Sequence, residues 1–183
     1  MQNEKDNAVA EATLAIANAL QHAAPGDLAA MRRMRVPIAA PMFWRLAAHH
    51  RVMNRNEEKW IVIARILARL TPTGQPGERP EIHAPQRRLG RVLCDGGMAV
   101  GWHDDTPFLG EGRLARLLAA RGKARLVALE RAVRMLPPGT EVNVADIAWA
   151  ILNPDRGNTD IAREYYRRLA HATNKDEKET QDA

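Results

Sequence analysis

The side chains best suited to chemistry in this chain are His103-Asp104-Asp105, Cys94, the Tyr165-Tyr166 pair and a series of arginine groups. A histidine beside carboxylates can hold a divalent metal, and a metal-bound water can attack a phosphodiester. His49 and His50 would supply further ring nitrogens. That spacing is generic, and 102–107 reads as a loop rather than a helix. A metal-dependent phosphohydrolase centred on His103 and Asp104 is therefore set against a solvated acidic turn. Cys94 has no histidine partner nearby in sequence and reads as a packing residue. One of Tyr165 and Tyr166 is expected in the core; the other could stack a base. No P-loop, dinucleotide fingerprint, HExxH or nucleophile elbow is present. No cofactor and no metal is expected.

The arginines carry more information. Arg32-Arg33, Arg87-Arg88, Arg113 with Arg116, Arg121 with Lys123, and Arg131 with Arg134 recur along the chain. Between residues 28 and 168 there are 24 basic and 14 acidic side chains, while the whole chain carries +5. Of the basic residues, 22 are arginine. A guanidinium donates two parallel hydrogen bonds, which suits phosphate. Such groups bind a nucleic-acid backbone without reading its sequence. No major-groove recognition helix is apparent. Two competing accounts are a solvated helix face and a G+C-rich genome, which favours arginine and alanine codons.

These groups must be positioned by helices. The chain has 183 residues, 45% of them hydrophobic and 27% charged, enough for one compact domain or two small packed lobes. Aromatics are only 4%, so repeated base stacking is excluded as the binding device. A single cysteine rules out a disulfide framework and a cysteine zinc site. No stretch approaches the length of a membrane span, and the start is a poor signal peptide, so the chain reads as cytoplasmic. Alanine, leucine and arginine dominate, all good helix formers.

Helices are predicted at 11–22, 28–34 with Asp27 as cap, and 41–50 opened by Pro41. The clearest amphipathic pattern spans 57–70. Trp60, Ile63, Ala64 and Leu67 share one face there, with Arg65 and Arg69 on the other. Four prolines and two glycines make 71–85 a loop and the best candidate for mobility. Short helices follow at 86–94, 111–121 and 123–136, interrupted at Gly122. Asn143 caps a helix to 152, 154–157 is a turn, and the last long helix is 159–172. The four tryptophans, Trp44, Trp60, Trp102 and Trp149, read as core anchors. The fold class expected is all-α, a compact two-lobed bundle of about seven to nine helices. The lobes would be 1–85 and 86–174, with a disordered acidic tail at 175–183.

The order of segments resembles a known family. It comprises Gly26-Asp27-Leu28-Ala29-Ala30-Met31-Arg32-Arg33, Met42-Phe43-Trp44-Arg45-Leu46, and the helix from Trp60 to Leu70. Leu89-Gly90-Arg91-Val92-Leu93 and Gly112-Arg113-Leu114-Ala115-Arg116-Leu117-Leu118 follow. The series ends with the run from Leu126 to Arg134, then Asp146 to Leu152 ahead of Tyr165-Tyr166. Over roughly 10–172 the chain resembles CasB, the small helical subunit of the type I-E CRISPR surveillance complex, Cascade. The resemblance implies a non-catalytic, all-helical scaffold in antiviral defence. Two copies would stack head to tail beside the other Cascade subunits and the CRISPR RNA. They would help hold the target DNA strand and the displaced single strand of the R-loop. The family's basic positions would map to Arg33, Arg113 and Arg131, with Arg32 and Arg134 alongside. A helical protein-interaction adaptor is the alternative, with arginines pairing to acidic partners.

Overall fold

The structure, a computed structural model, describes residues 2–98 and 106–181, with backbone alone at 2, 3, 5 and 172–181. Among them the chain is an all-α bundle. Nine α-helices run in the order α1 Gln2–Gln21, α2 Pro25–Arg33, α3 Pro41–His49, α4 Glu57–Leu70, α5 Leu89–Asp95, α6 Glu111–Ala119, α7 Gly122–Arg134, α8 Val144–Leu152 and α9 Pro154–Gln181. A 3₁₀ turn at Arg51–Asn54 joins α3 to α4. No helix among the described residues is long and apolar enough to cross a membrane.

Prolines set several starts. Pro25 and Pro41 occupy first-turn positions, where a fixed φ suits a helix and the missing N–H costs nothing. Pro25 thus opens α2 rather than ending α1, and Asp27 lies in the first turn instead of capping it. Asn143 does cap α8, its side chain accepting from Ala145 N at 3.2 Å. Gly122 takes φ +53 at the break between α6 and α7, a conformation that glycine adopts without a Cβ clash.

Helix α4 is the centre of the bundle. Trp60, Ile61, Val62, Ile63, Ala64, Ile66, Leu67, Ala68 and Leu70 are all buried. A helix apolar nearly all round belongs inside a core. Helices α1, α2, α7 and α8 pack on it. Arg65 and Arg69 lie on its partly exposed side, and both reach Glu130 on α7, at 2.7 and 3.4 Å. The buried apolar side chains from α1 through α9 form one continuous cluster.

Helix α9 packs on α5 and α8. The α5 crossing is at backbone distance: a Cβ on Gly90 would lie 2.1 Å from Ile161 O. Tyr165 is fully buried beside it and donates to Leu109 O at 2.6 Å, while Tyr166 is exposed. The backbone helix of α9 includes 154–157, expected as a turn, and reaches Gln181, within the polar tail. Trp60 is buried, but Trp44 is 44% exposed, so it is no core anchor. Phe43, its neighbour on α3, takes the buried position instead.

The proline-rich segment between α4 and α5 is irregular, yet held. Arg79 is buried and donates to the carbonyls of Leu20, Gln21 and Ala23 at the end of α1 and to Gly74 O. Further on, Ala84 N bonds Val142 O at 3.1 Å and Val142 N bonds Ile82 O at 2.9 Å. Arg79 thus supplies the partners that the last carbonyls of α1 lack within their own helix. These bonds tie the segment to the end of α1 and to the residues ahead of α8.

Candidate nucleic-acid interface

The ten basic side chains singled out in the sequence separate into two populations. Three are partly or fully buried. Arg32, near the end of α2, donates through Nε to Ala68 O at 2.8 Å and through Nη2 to Thr71 O. It closes the C-terminal end of α4, where carbonyls need donors. Burial lowers its pKa, with the Arg79 charge adding to the effect.

Arg87 is turned inward at 6% exposure. Its two terminal nitrogens face the two oxygens of Asp95 at 3.4 and 3.3 Å. Asp95 is completely buried and also accepts from Arg168 Nε at 2.8 Å and Gly97 N at 3.1 Å. A carboxylate in that position must be paired, which explains the recruitment of both guanidiniums. This takes Arg87 out of the exposed set expected from sequence. Arg88 is partly exposed but bonds Asp146 at 2.7 Å, and the same oxygen accepts from Leu89 N at 3.0 Å, at the start of α5. Burial pulls the Arg88 pKa down, but the hydrogen bond and charge of Asp146 outweigh it and raise it.

The other seven, Arg33, Arg113, Arg116, Arg121, Lys123, Arg131 and Arg134, are exposed. No carboxylate of the described residues forms an ion pair with any of them. Six lie on α6, α7 and their junction. Arg113 reaches Met135 Sδ at 3.7 Å, which sets it against the end of α7 that carries Arg131 and Arg134. Arg121 donates to Leu118 O and Ala120 O at the other end of α6, with Lys123 two residues on. At 1.5 Å per residue, Lys123 and Arg134 are roughly 16 Å apart along α7. The α6–α7 hairpin therefore carries cationic groups at both ends. Arg33 lies apart on α2, which packs on α4 and α3.

The hairpin is stiffened by an arginine that the sequence reading passed over. Arg125 is 1% exposed and donates through Nη1 to Leu117 O. Asn158 of α9 donates to Leu118 O at 3.0 Å. Together with Arg121 they close the C-terminal end of α6. Burial, then the neighbouring Arg121 charge, lowers the Arg125 pKa to about 10, still protonated at neutral pH. Its 3.6-residue phase with Leu129 and Ala132 was the available signal, since that places it on the inward face.

No known protein family, curated protein or solved structure matches this chain. Among the described residues no group of three or more histidine, cysteine or acidic side chains could hold a metal ion. His103, Asp104 and Asp105, the centre of the phosphohydrolase reading, lie outside the described residues, as does Trp102. Cys94 is fully buried, and its thiol is pushed up to about 12 by burial and by the Asp95 charge. A thiol held protonated is a poor nucleophile.

Proposed function

We propose that this chain is a non-catalytic, nucleic-acid-binding scaffold subunit of the CasB type in a CRISPR RNA-guided surveillance complex. The observation that carries the reading is the set of exposed cations on α6 and α7, none paired with a carboxylate among the described residues. Surface arginines next to carboxylates would be neutralised locally. These are not, and a stiff helical hairpin holds them. The order of sequence segments, which resembles the Cascade small subunit over roughly 10–172, gives the cationic face its context.

The physics of the role is direct. Exchanging a DNA duplex for an RNA–DNA hybrid is nearly balanced in free energy, so contacts to the strand backbones can tip it. Arg113, Arg131 and Arg134 at one end of the hairpin and Arg121 and Lys123 at the other would contact phosphates of the target or displaced strand. Arg33 would add a contact from α2. Arg32, Arg87 and Arg88 hold the helices together and are not part of the proposed contact face.

The test is to tag the chain in its own host and measure the native mass and nucleic-acid content of what purifies with it. A large assembly holding RNA of one defined length, with this chain in more than one copy, supports the proposal. Recovery as an RNA-free monomer, or with unrelated acidic proteins, overturns it in favour of the adaptor.

A further inference from the structure

A cavity of about 450 Å³ opens between α1, the 3₁₀ turn, the start of α4 and the α8–α9 junction. Sequence reasoning placed no site there. Its lining includes Arg51 and Arg55, both exposed, one helical turn apart in sequence and in no ion pair among the described residues. Trp149, half-buried on α8, lines it, and the Arg156 guanidinium lies over one face of that ring, 4.9 Å from its centroid, leaving the other face for a ligand. Arg156 is itself neutralised by Asp6 at 2.8 Å and Asp160 at 3.9 Å. Asn56 and Asn153 also line it, and Asn153 Oδ1 accepts from Arg156 N at 3.4 Å, which leaves the Asn153 NH2 to donate. Asn56 holds a left-handed φ of 64 just ahead of α4, and its side chain makes no capping bond there. Trp60 forms the buried floor, its indole N–H donating to Val52 O at 3.1 Å.

This combination has a specific chemistry. A flat aromatic face attracts a base, amides pair with a base edge, and two free guanidiniums attract phosphates. The volume falls within the range of small-ligand sites. An aliphatic or purely anionic ligand would use only part of it.

We propose that this cavity seats one unpaired nucleotide of a bound single strand, with its base against Trp149 and its flanking phosphates on Arg51 and Arg55. The inference rests on the nucleic-acid reading above and deepens it. The α6–α7 face tracks a strand through phosphates alone, whereas this cavity adds a contact that requires a base. It would therefore mark one position along the strand where a base is turned out.

The experiment compares the full chain's affinity for fluorescein-labelled oligo-dT and for an abasic strand of equal length. Wild type should bind oligo-dT about tenfold more tightly, the scale of one base–aromatic stack. W149L keeps an apolar side chain but is smaller and loses the stacking face. It should lose that preference while binding the abasic strand as wild type does, with the same helix content by circular dichroism. The exposed pair R51A/R55A should weaken both strands and spare the melting curve. Equal binding of the two strands by wild type, or a preference that survives in W149L, overturns the cavity assignment and leaves the scaffold reading intact. Binding of neither strand overturns both. Free thymidine 5′-phosphate displacing oligo-dT at equal concentration would overturn the strand-bound form of the proposal.

Discussion

Arg168 Nε lies 2.8 Å from Asp95 Oδ2, and that contact ties α9 to the last residue of α5. Arg87 approaches the other oxygen of the same fully buried carboxylate at 3.3 Å. The triad is a device for holding three segments together, not a stock of free charge. Removing the carboxylate takes that charge partner from two guanidiniums, one of them buried. D95A should therefore cost about 3–5 kcal/mol, the usual penalty for breaking a buried pair from one side. Urea denaturation measures it. R168A exposes a smaller deficit, because Arg87 and Gly97 N remain on the carboxylate.

The exposed and engaged arginines should respond in opposite ways to substitution. R131E/R134E should leave stability within about 0.5 kcal/mol of wild type, as surface changes do. The same variant should weaken single-stranded DNA binding for all sequences alike. With about five phosphates contacted, log affinity should fall with log salt at a slope near −3.5, and the variant should flatten that slope. R87A should do the reverse, lowering the urea midpoint while keeping the salt slope. A salt titration on both proteins reads the distinction.

Cys94 predicts an alkaline limit to stability. Below pH 9 the thiol is protonated in both folded and unfolded chains. Between 9.0 and about 12 the unfolded chain loses the proton while the buried thiol keeps it. The folded state binds more protons there, so stability falls as pH rises, by at most about 1.4 kcal/mol per pH unit for this group. Burial also raises the Tyr165 phenol, which steepens the fall at the upper end. C94A should show a shallower decline across the same window in urea melts. A decline as steep as wild type would remove Cys94 as the cause.

Gly90 predicts a steric limit. A Cβ there would meet Ile161 O at 2.1 Å and Tyr165 N at 2.9 Å, and both are backbone atoms. Backbone cannot swing aside as a flexible side chain can. G90A should therefore separate α5 from α9 and destabilise by about 1–3 kcal/mol, the range for overpacking. Gly112, with open space around it, is the matched control, and G112A on the first turn of α6 should be near neutral. Thermal melts of the two variants make the comparison.

The sequence revealed elements better than allegiances. The 57–70 helix was legible because its apolar residues are dense and its bounding residues are good start and stop signals. Its centrality was less so, because Glu130, the carboxylate that meets Arg65 and Arg69, lies far along the chain. The spacing along α7 is legible: Leu129, Val133 and the following Leu136 are buried, Leu126 is half-buried, and Arg131 and Arg134 are exposed. Arg87 and Arg88 looked as free as Arg131 because nothing local distinguishes them. Their acids, Asp95 and Asp146, are brought by the fold. Trp44 and Trp149 were assigned by residue type, which cannot tell a core ring from one at a cavity wall. Arg51 and Arg55 had only their four-residue spacing to recommend them.

The division among the arginines also bears on how this chain could diverge. A surface cation that meets a phosphate can drift to lysine and keep its charge. Arg79 cannot, because a single ammonium lacks the planar fork that reaches four carbonyls in two directions. Arg32 and Arg87, each bonding through two guanidinium nitrogens, are bound by the same geometry. In a lineage descended from this chain, the arginines that never change would be the ones that hold the helices, and those that contact a strand would be the ones that wander. Persistence of an arginine would then record architecture, and its replacement by lysine would be the trace of a ligand.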